Sequence, residues 1–354
     1  MGKINTARHD SMLTVLAVLV VALRTLAAEP PADESPADHL PPHITQLTSF
    51  GERADWSHDG KRILFLSKTF GDAMEIDLAS KEIRNLTARY PHHGYTRTLY
   101  LANGDVLLSG PEEFDPKKSA EARNRCFLYV LDKSLTKPPV PLDVRCIEGP
   151  AVSRKRLHIA WTDWPNQSTS DAPPGISRIQ EADIVYENGM PKLANRRPVL
   201  DSSDLSFPCT LESQNFRPPD EPELIFSAYR PNDASDVCGI DLATKKVTNY
   251  TGSPAEYDEP EGIFPNGEFT LVESDRQNHQ GPNHVDVWKL ALDGSGRYER
   301  LTHFSDYPGY KGSNPVVSDD GRFIAFQMAH SVDAAGVGHG LFIYDVDKAA
   351  SGVR

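Results

Sequence analysis

The feature that most constrains this chain is a recurring unit of four short β-rich segments separated by glycine-containing turns. It is clearest over residues 261–302. There Glu261-Gly-Ile-Phe264 leads into the turn Pro265-Asn266-Gly267, then Phe269-Thr-Leu-Val-Glu-Ser274, a loop over 275–283, His284-Val-Asp-Val-Trp-Lys-Leu290, a turn over 292–296 and Tyr298-Glu-Arg-Leu-Thr302. Asn-Gly and Asp-Gly turns between β-rich runs specify an antiparallel meander. A single four-stranded meander has too little apolar surface to fold alone, so the copies must pack against one another.

Further copies begin near residues 54, 98, 150, 210 and 314, which makes six in all, the fourth being the most degenerate. The high counts of Pro (28) and Gly (24) suit many turns and short strands rather than long helices. The sixth copy stops before its fourth segment. Ile44-Thr-Gln-Leu-Thr48, ahead of the first copy, resembles the missing piece. If that segment completes the sixth copy, the ring closes and no β-edge is left open to aggregate.

Several phrases then resemble a known repeat. Trp56-Ser-His-Asp-Gly60, Ser274-Asp-Arg276, Val285-Asp-Val-Trp288, Arg300-Leu-Thr302 and Val317-Ser-Asp-Asp-Gly321-Arg-Phe-Ile-Ala-Phe326 are similar to the TolB-type, WD-like β-propeller repeat, over about residues 44–346. The resemblance implies an all-β chain, a six-bladed β-propeller of four-stranded antiparallel blades closed by an N-terminal strand. The degenerate fourth copy leaves seven blades open, and a two-sheet sandwich of many short strands is the competing architecture. The additional N-terminal domain of TolB is not found in this sequence, so the resemblance carries the fold and not the Tol-Pal role.

The first residues read as an address. Lys3 and Arg8 precede an apolar run over 12–23, followed by Leu26-Ala27-Ala28. That is the order of a secretory signal peptide, with an uncleaved anchor as the alternative because Arg24 and Leu26 suit a cleavage region poorly. The expected organisation is a signal peptide over 1–28, a proline-rich disordered linker over 29–42 and one propeller domain over 43–354. The protein is then exported, to the periplasm or the medium, as a soluble monomer not embedded in the membrane. Four cysteines in an exported chain suggest two disulfides. Sequence neighbourhood favours Cys126–Cys146 and Cys209–Cys238, against free buried thiols.

Antiparallel connectivity sends the first and third turns of every copy to one end of the ring and the second loops and inter-copy connections to the other. The first turns are tight. The long loops, 111–125, 163–181, 275–283 and 328–339, are nearly all second loops, so function is expected at their end. Candidate binding residues there are Glu256, Asp258, Glu259 and Glu261 ahead of the fifth copy's core, Arg276, His279 and His284 in its loop, and His330 and His339 in the sixth. Imidazoles with carboxylates suit a divalent metal or a proton-transfer pair. No HExxH spacing and no Gly-x-Ser-x-Gly elbow occurs. Gln327-Met-Ala-His330 resembles part of the metal site of oligogalacturonate lyases, but it ends a second strand instead of preceding an inner one.

The net charge of −13 argues against nucleic acid. The leading expectation is therefore a scaffold without catalytic residues or a cofactor, binding an envelope protein or glycan on its loop-rich face. The alternative is a metal-assisted lyase or hydrolase acting on an anionic polysaccharide. That alternative needs a pocket joining Glu259, His279, His284 and His330.

Overall fold

The computed structural model describes residues 34–147, 149–164, 172–331, 333 and 336–352. These form six four-stranded antiparallel sheets, each contributed by consecutive strands except the last. Neighbouring sheets touch all the way round, and the sixth returns to the first. The arrangement is a six-bladed β-propeller. Its inner strands are Glu52–Trp56, Arg97–Tyr100, Ala151–Val152, Thr210–Phe216, Asp258–Ile263 and Tyr310–Val317.

The sixth blade is completed by the N-terminal strand, as its sequence suggests. Ile44–Gln46 pairs antiparallel with Leu341–Asp345, Ile44 opposite Tyr344 and Gln46 opposite Phe342. Thr48 extends this closure by accepting the backbone N–H of Leu341 on its Oγ1 at 3.0 Å.

The repeated phrases have local physical jobs. In the first turns, Ser57 Oγ donates to Asp59 at 2.7 Å and accepts the N–H of Arg62 at 3.0 Å, and Ser318 does the same with Asp320 and Phe323. Such bonds hold the turn before any tertiary packing does. The terminal Leu-Thr works between strands. Thr302 Oγ1 donates to buried Asp286 at 2.7 Å and accepts Val287 N–H at 2.9 Å, while Thr87 and Thr251 clamp Asp72 and Asp236 in the same way. Apolar side chains fill the seams between blades. Leu301, Phe304, Phe326 and Phe342 form one such cluster, and Trp161, Leu107 and Leu128 belong to another.

Three expectations are corrected. Residues 34–42 are not an unstructured spacer. Pro36–His39 forms a 3-10 turn capped by Ser35, and Ala37 and Leu40 pack against the sixth blade's core, which supplies apolar contacts that a free linker lacks. The loop over 163–181 is shorter than expected. The outer hairpin of blade 3, Arg178–Glu187 and Met190–Asp201, takes up its last residues and turns tightly at Asn188-Gly189. The loop over 111–125 contains a short helix, Ser119–Arg123.

Cys146, Cys209 and Cys238 carry free thiols, so neither Cys126–Cys146 nor Cys209–Cys238 is bridged, which corrects the proposed disulfides. The favoured partners are nevertheless neighbours: Cys146 N–H donates to the Cys126 carbonyl at 3.0 Å. Cys126 and Cys146 are fully buried, and burial pushes the Cys146 thiol well above its ordinary value, so thiolate chemistry is disfavoured there. The expected signal peptide over 1–28 and residues 29–33 of the expected linker lie outside the described residues.

Candidate functional site

Four inner strands carry a one-residue bulge near mid-length: between Glu52 and Asp55, Ser213 and Asn215, Pro260 and Gly262, and Ser313 and Val316. A bulge sets two residues opposite one and redirects a side chain that strict alternation would send elsewhere. Arg53 and Asn314 take left-handed backbone there, with φ of 56° and 47°. Asn tolerates that region, whereas Arg holds it only when surrounding structure fixes it. The fixing bonds are Arg53 N–H to Gln327 Oε1 at 2.6 Å and Asn314 N–H to Glu273 Oε1 at 2.7 Å.

These strands surround a cavity of about 420 Å³ at the loop-rich end. Residues from all six blades line it. Its acidic members are Glu52, Glu212, Glu259, Glu261, Glu273 and Asp333, and its basic members are Arg53, Arg97, Arg123 and Lys311. All five glutamates are buried. Glu259 accepts hydrogen bonds from the Tyr257 hydroxyl, from the Tyr229 hydroxyl at 2.5 Å and from Gln214 at 3.5 Å. Tyr229 also lies 2.7 Å from Glu212 Oε2. A phenol carries one hydrogen, so it satisfies one of these carboxylates at a time.

Glu261 accepts from Asn314 Nδ2 at 2.7 Å and faces Arg97 Nη1 at 3.5 Å. Glu273 stands directly across the sheet from Glu259. Carboxylate oxygens of Glu259, Glu261 and Glu273 all come within 4.8 Å of one another. Burial, then the charges of Glu259 and Glu261, push the Glu273 carboxyl up to about 8. Burial and the adjacent carboxylates also raise the Tyr229 and Tyr257 phenols, which therefore act as hydrogen-bond donors and not as bases.

A second cavity of about 290 Å³ opens at the tight-turn end, and Arg97 and Glu261 line both. This pair marks the waist of the central channel. A Cβ at Gly149 would collide with the Arg97 guanidinium, so glycine there leaves the arginine its place. Beyond the waist, Arg154 of blade 3 reaches across to blades 1 and 6. It donates to Asp319 at 2.7 Å and to the Trp56 carbonyl at 2.9 Å, and lies 3.5 Å from Asp55. Burial alone would raise the Asp319 carboxyl, but His58 and Arg154 hold it below its ordinary value. One end of the ring is thus cross-braced, and the other presents a polar funnel.

The funnel gathers only some of the candidate residues. Glu259, Glu261 and His330 line it. Asp258 and Arg276 do not: they form a buried ion pair at 2.6 Å, shared with Ser274 and Tyr298. Alternation along the strand accounts for this, since Asp258 faces opposite to Glu259. Glu256 and His279 lie 4.0 Å apart outside the funnel, with the His279 side chain largely exposed. His284 enters no funnel contact, and its carbonyl accepts from Gln277 at 2.7 Å. His339 is hydrogen-bonded to Asp333 at 2.5 Å, and Asp333 lies 3.9 Å from His330. The pocket expected to join Glu259, His279, His284 and His330 is therefore corrected to Glu259 and His330 alone.

Glu273, Arg97, Asn314 and the two tyrosines were missing from the sequence-derived set. They sit on strands that read as ordinary core. The available signal was the pair Glu259 and Glu273 on successive strands of one meander, where like charges facing each other are disfavoured without a reason.

No protein-family model and no curated protein sequence matches the chain. Among solved structures it is similar to a gluconolactonase from Xanthomonas campestris, at 13% identity and TM-score 0.54, covering 85% of this chain and 88% of that one. It is also similar to TolB from Acinetobacter baumannii, at 15% identity and TM-score 0.46, covering 84% and 66%. An oligogalacturonate lyase from Vibrio parahaemolyticus matches at 12% identity and TM-score 0.49, covering 86% and 93%. At such identities the likeness concerns fold alone. In fold, the chain is a six-bladed β-propeller.

Proposed function

We propose that this protein is an exported binding propeller that takes a protein or glycan partner at the loop-rich mouth of its central channel. The observation that carries the reading is the difference between the two ends. Arg154 braces one end between blades, while all six blades open the other into a polar funnel of about 420 Å³. Rigid strands that present varied loops around a concavity are how a scaffold recognises a partner. Export rests on the order of charged, apolar and small residues over 1–28. N-terminal sequencing of the mature protein tests it.

The partner site is tested by capture from an envelope extract and, in parallel, on a glycan array. Val337 lines the funnel and is 46% exposed. Val337→Arg is expected to abolish capture, and Lys155→Glu at the braced end to leave it intact. Capture that survives Val337→Arg and is lost in Lys155→Glu overturns the placement.

A second reading, a metal-assisted lyase or hydrolase of anionic polysaccharide, draws support from Gln327, His330 and Glu259 lining one cavity. Arg53, Arg97 and Lys311 supply there the basic groups that an anionic substrate needs. Incubation with polyuronates and added Mn²⁺ should then release products with unsaturated ends if the bond is cleaved by elimination, or saturated reducing ends if it is cleaved by water. Absence of product with every such polymer removes this reading.

A further inference from the structure

We propose that Glu259, Glu261 and Glu273 form a binding site for a hard divalent cation of the calcium and manganese class at the waist of the channel. Three observations converge on it. The carboxylate oxygens lie within 4.8 Å of one another, a separation that one ion can bridge. All three side chains are at least nine-tenths buried, with Arg97 against Glu261 and Lys311 acting on Glu273, so three carboxyl groups are crowded together in a largely desolvated place. The third observation is independent of the acids. Ser313 is 2% exposed and lines the same cavity, yet its Oγ has no hydrogen-bond partner among the described residues. A buried hydroxyl is normally satisfied, and an orphaned one lining the cavity that the three carboxylates line is a spare oxygen donor.

The donor chemistry selects the ion. Carboxylate and hydroxyl oxygens suit calcium, magnesium and manganese, whereas zinc and copper favour imidazole or thiolate, neither of which belongs to the trio. The neighbouring bonds prepare the site. Asn314 holds Glu261 by its side chain and Glu273 by its backbone, each at 2.7 Å, which fixes two ligands from the bulge of the next blade. Tyr229 and Tyr257 orient Glu259. The cation would tie blade 5 to blade 6 through the bulge. Its binding does not depend on the partner proposed for the mouth.

The test uses the full chain without a histidine tag, with Mn²⁺ alone followed by electron paramagnetic resonance. One Mn²⁺ per chain is expected to bind and to be displaced by Ca²⁺. Glu261→Gln and Glu273→Gln should each weaken binding about tenfold or more, as the loss of a charged ligand does. Ser313→Ala, which removes a single oxygen, should weaken it less. A second measurement separates ligands from mere supports: in chelator Glu273→Gln should melt no lower than the wild type, because it replaces a carboxyl crowded against Glu259 and Glu261 by a neutral group. Ca²⁺ should then raise the melting temperature of the wild type alone. No binding at about 1 mM metal, the weak limit of built calcium sites, overturns the proposal. So does undiminished binding in both Gln variants and in Ser313→Ala, or displacement of Mn²⁺ by Zn²⁺ and not by Ca²⁺.

Discussion

Thr302 and Asp319 illustrate how much single residues contribute to this ring. Thr302 Oγ1 both donates to Asp286 and accepts Val287 N–H, and the residue is 1% exposed. Thr302→Val keeps the shape and leaves both partners short of a bond in a dry place. The expected cost is about 1–3 kcal/mol, read as a lower urea midpoint at unchanged slope. Asp319 gives a pH dependence. His58 and Arg154, working against burial, hold its folded carboxyl below the ordinary value. Its contribution is therefore fully present above pH about 4 and is lost as pH falls through the lower folded value. Thermal melts should show wild type and Asp319→Asn converging as the solution is acidified below that point. A difference that widens instead would contradict the pairing. Residues of this kind were partly legible in the sequence. The Leu-Thr and Ser-x-Asp-Gly phrases recur and announce local work, whereas Arg154 carries no mark of a partner 165 residues away.

At the scale of the element, strands were readable and their irregularities were not. Period-two patterning and glycine turns locate the inner strand Asp258–Ile263 within a few residues. Nothing in the pattern announces a bulge, because one extra residue in a six-residue run leaves the composition unchanged. Yet the bulges decide which carboxylates meet, and for that reason the sequence reading found Glu259 and Glu261 but not Glu273 or Asn314. It also counted Asp258 among the site residues, though the pleat turns it the other way. Gly262 tests the bulge directly. A Cβ there would lie 2.6 Å from the Pro315 carbonyl and 3.1 Å from the Val316 Cα, both backbone atoms of the adjoining blade. Gly262→Ala is expected to destabilise by about 1–3 kcal/mol, the range for overpacking a tight interface. In a denaturant titration it should also weaken Mn²⁺ retention, since this bulge carries Glu261 and the facing bulge of the sixth blade carries Asn314, which holds it. An unaltered midpoint would mean that the two inner strands are not in close contact.

The whole molecule was the most legible level, since a repeat that cannot fold alone, counted six times with its last strand borrowed from the start, leaves few arrangements open. Removing residues up to 48 strips Ile44–Gln46 from Leu341–Asp345 and also takes away Leu40 and Ala37 from the sixth blade's core. The exposed edge should self-associate. Size-exclusion chromatography is expected to show oligomers or aggregate, and calorimetry a much lower melting temperature. A monomer melting like the full chain would refute the closure. The same pairing also sets an order of events. The partners are separated by about three hundred residues, so their contact carries a large closure entropy and cannot help the early steps of folding. On the ribosome or at the far side of a membrane, the segment that emerges first must wait, unpaired, until the final blade arrives. Until then five complete blades stand in an arc with two raw edges, and the interval between the first strand and the last is the period in which this chain is most exposed to misassembly.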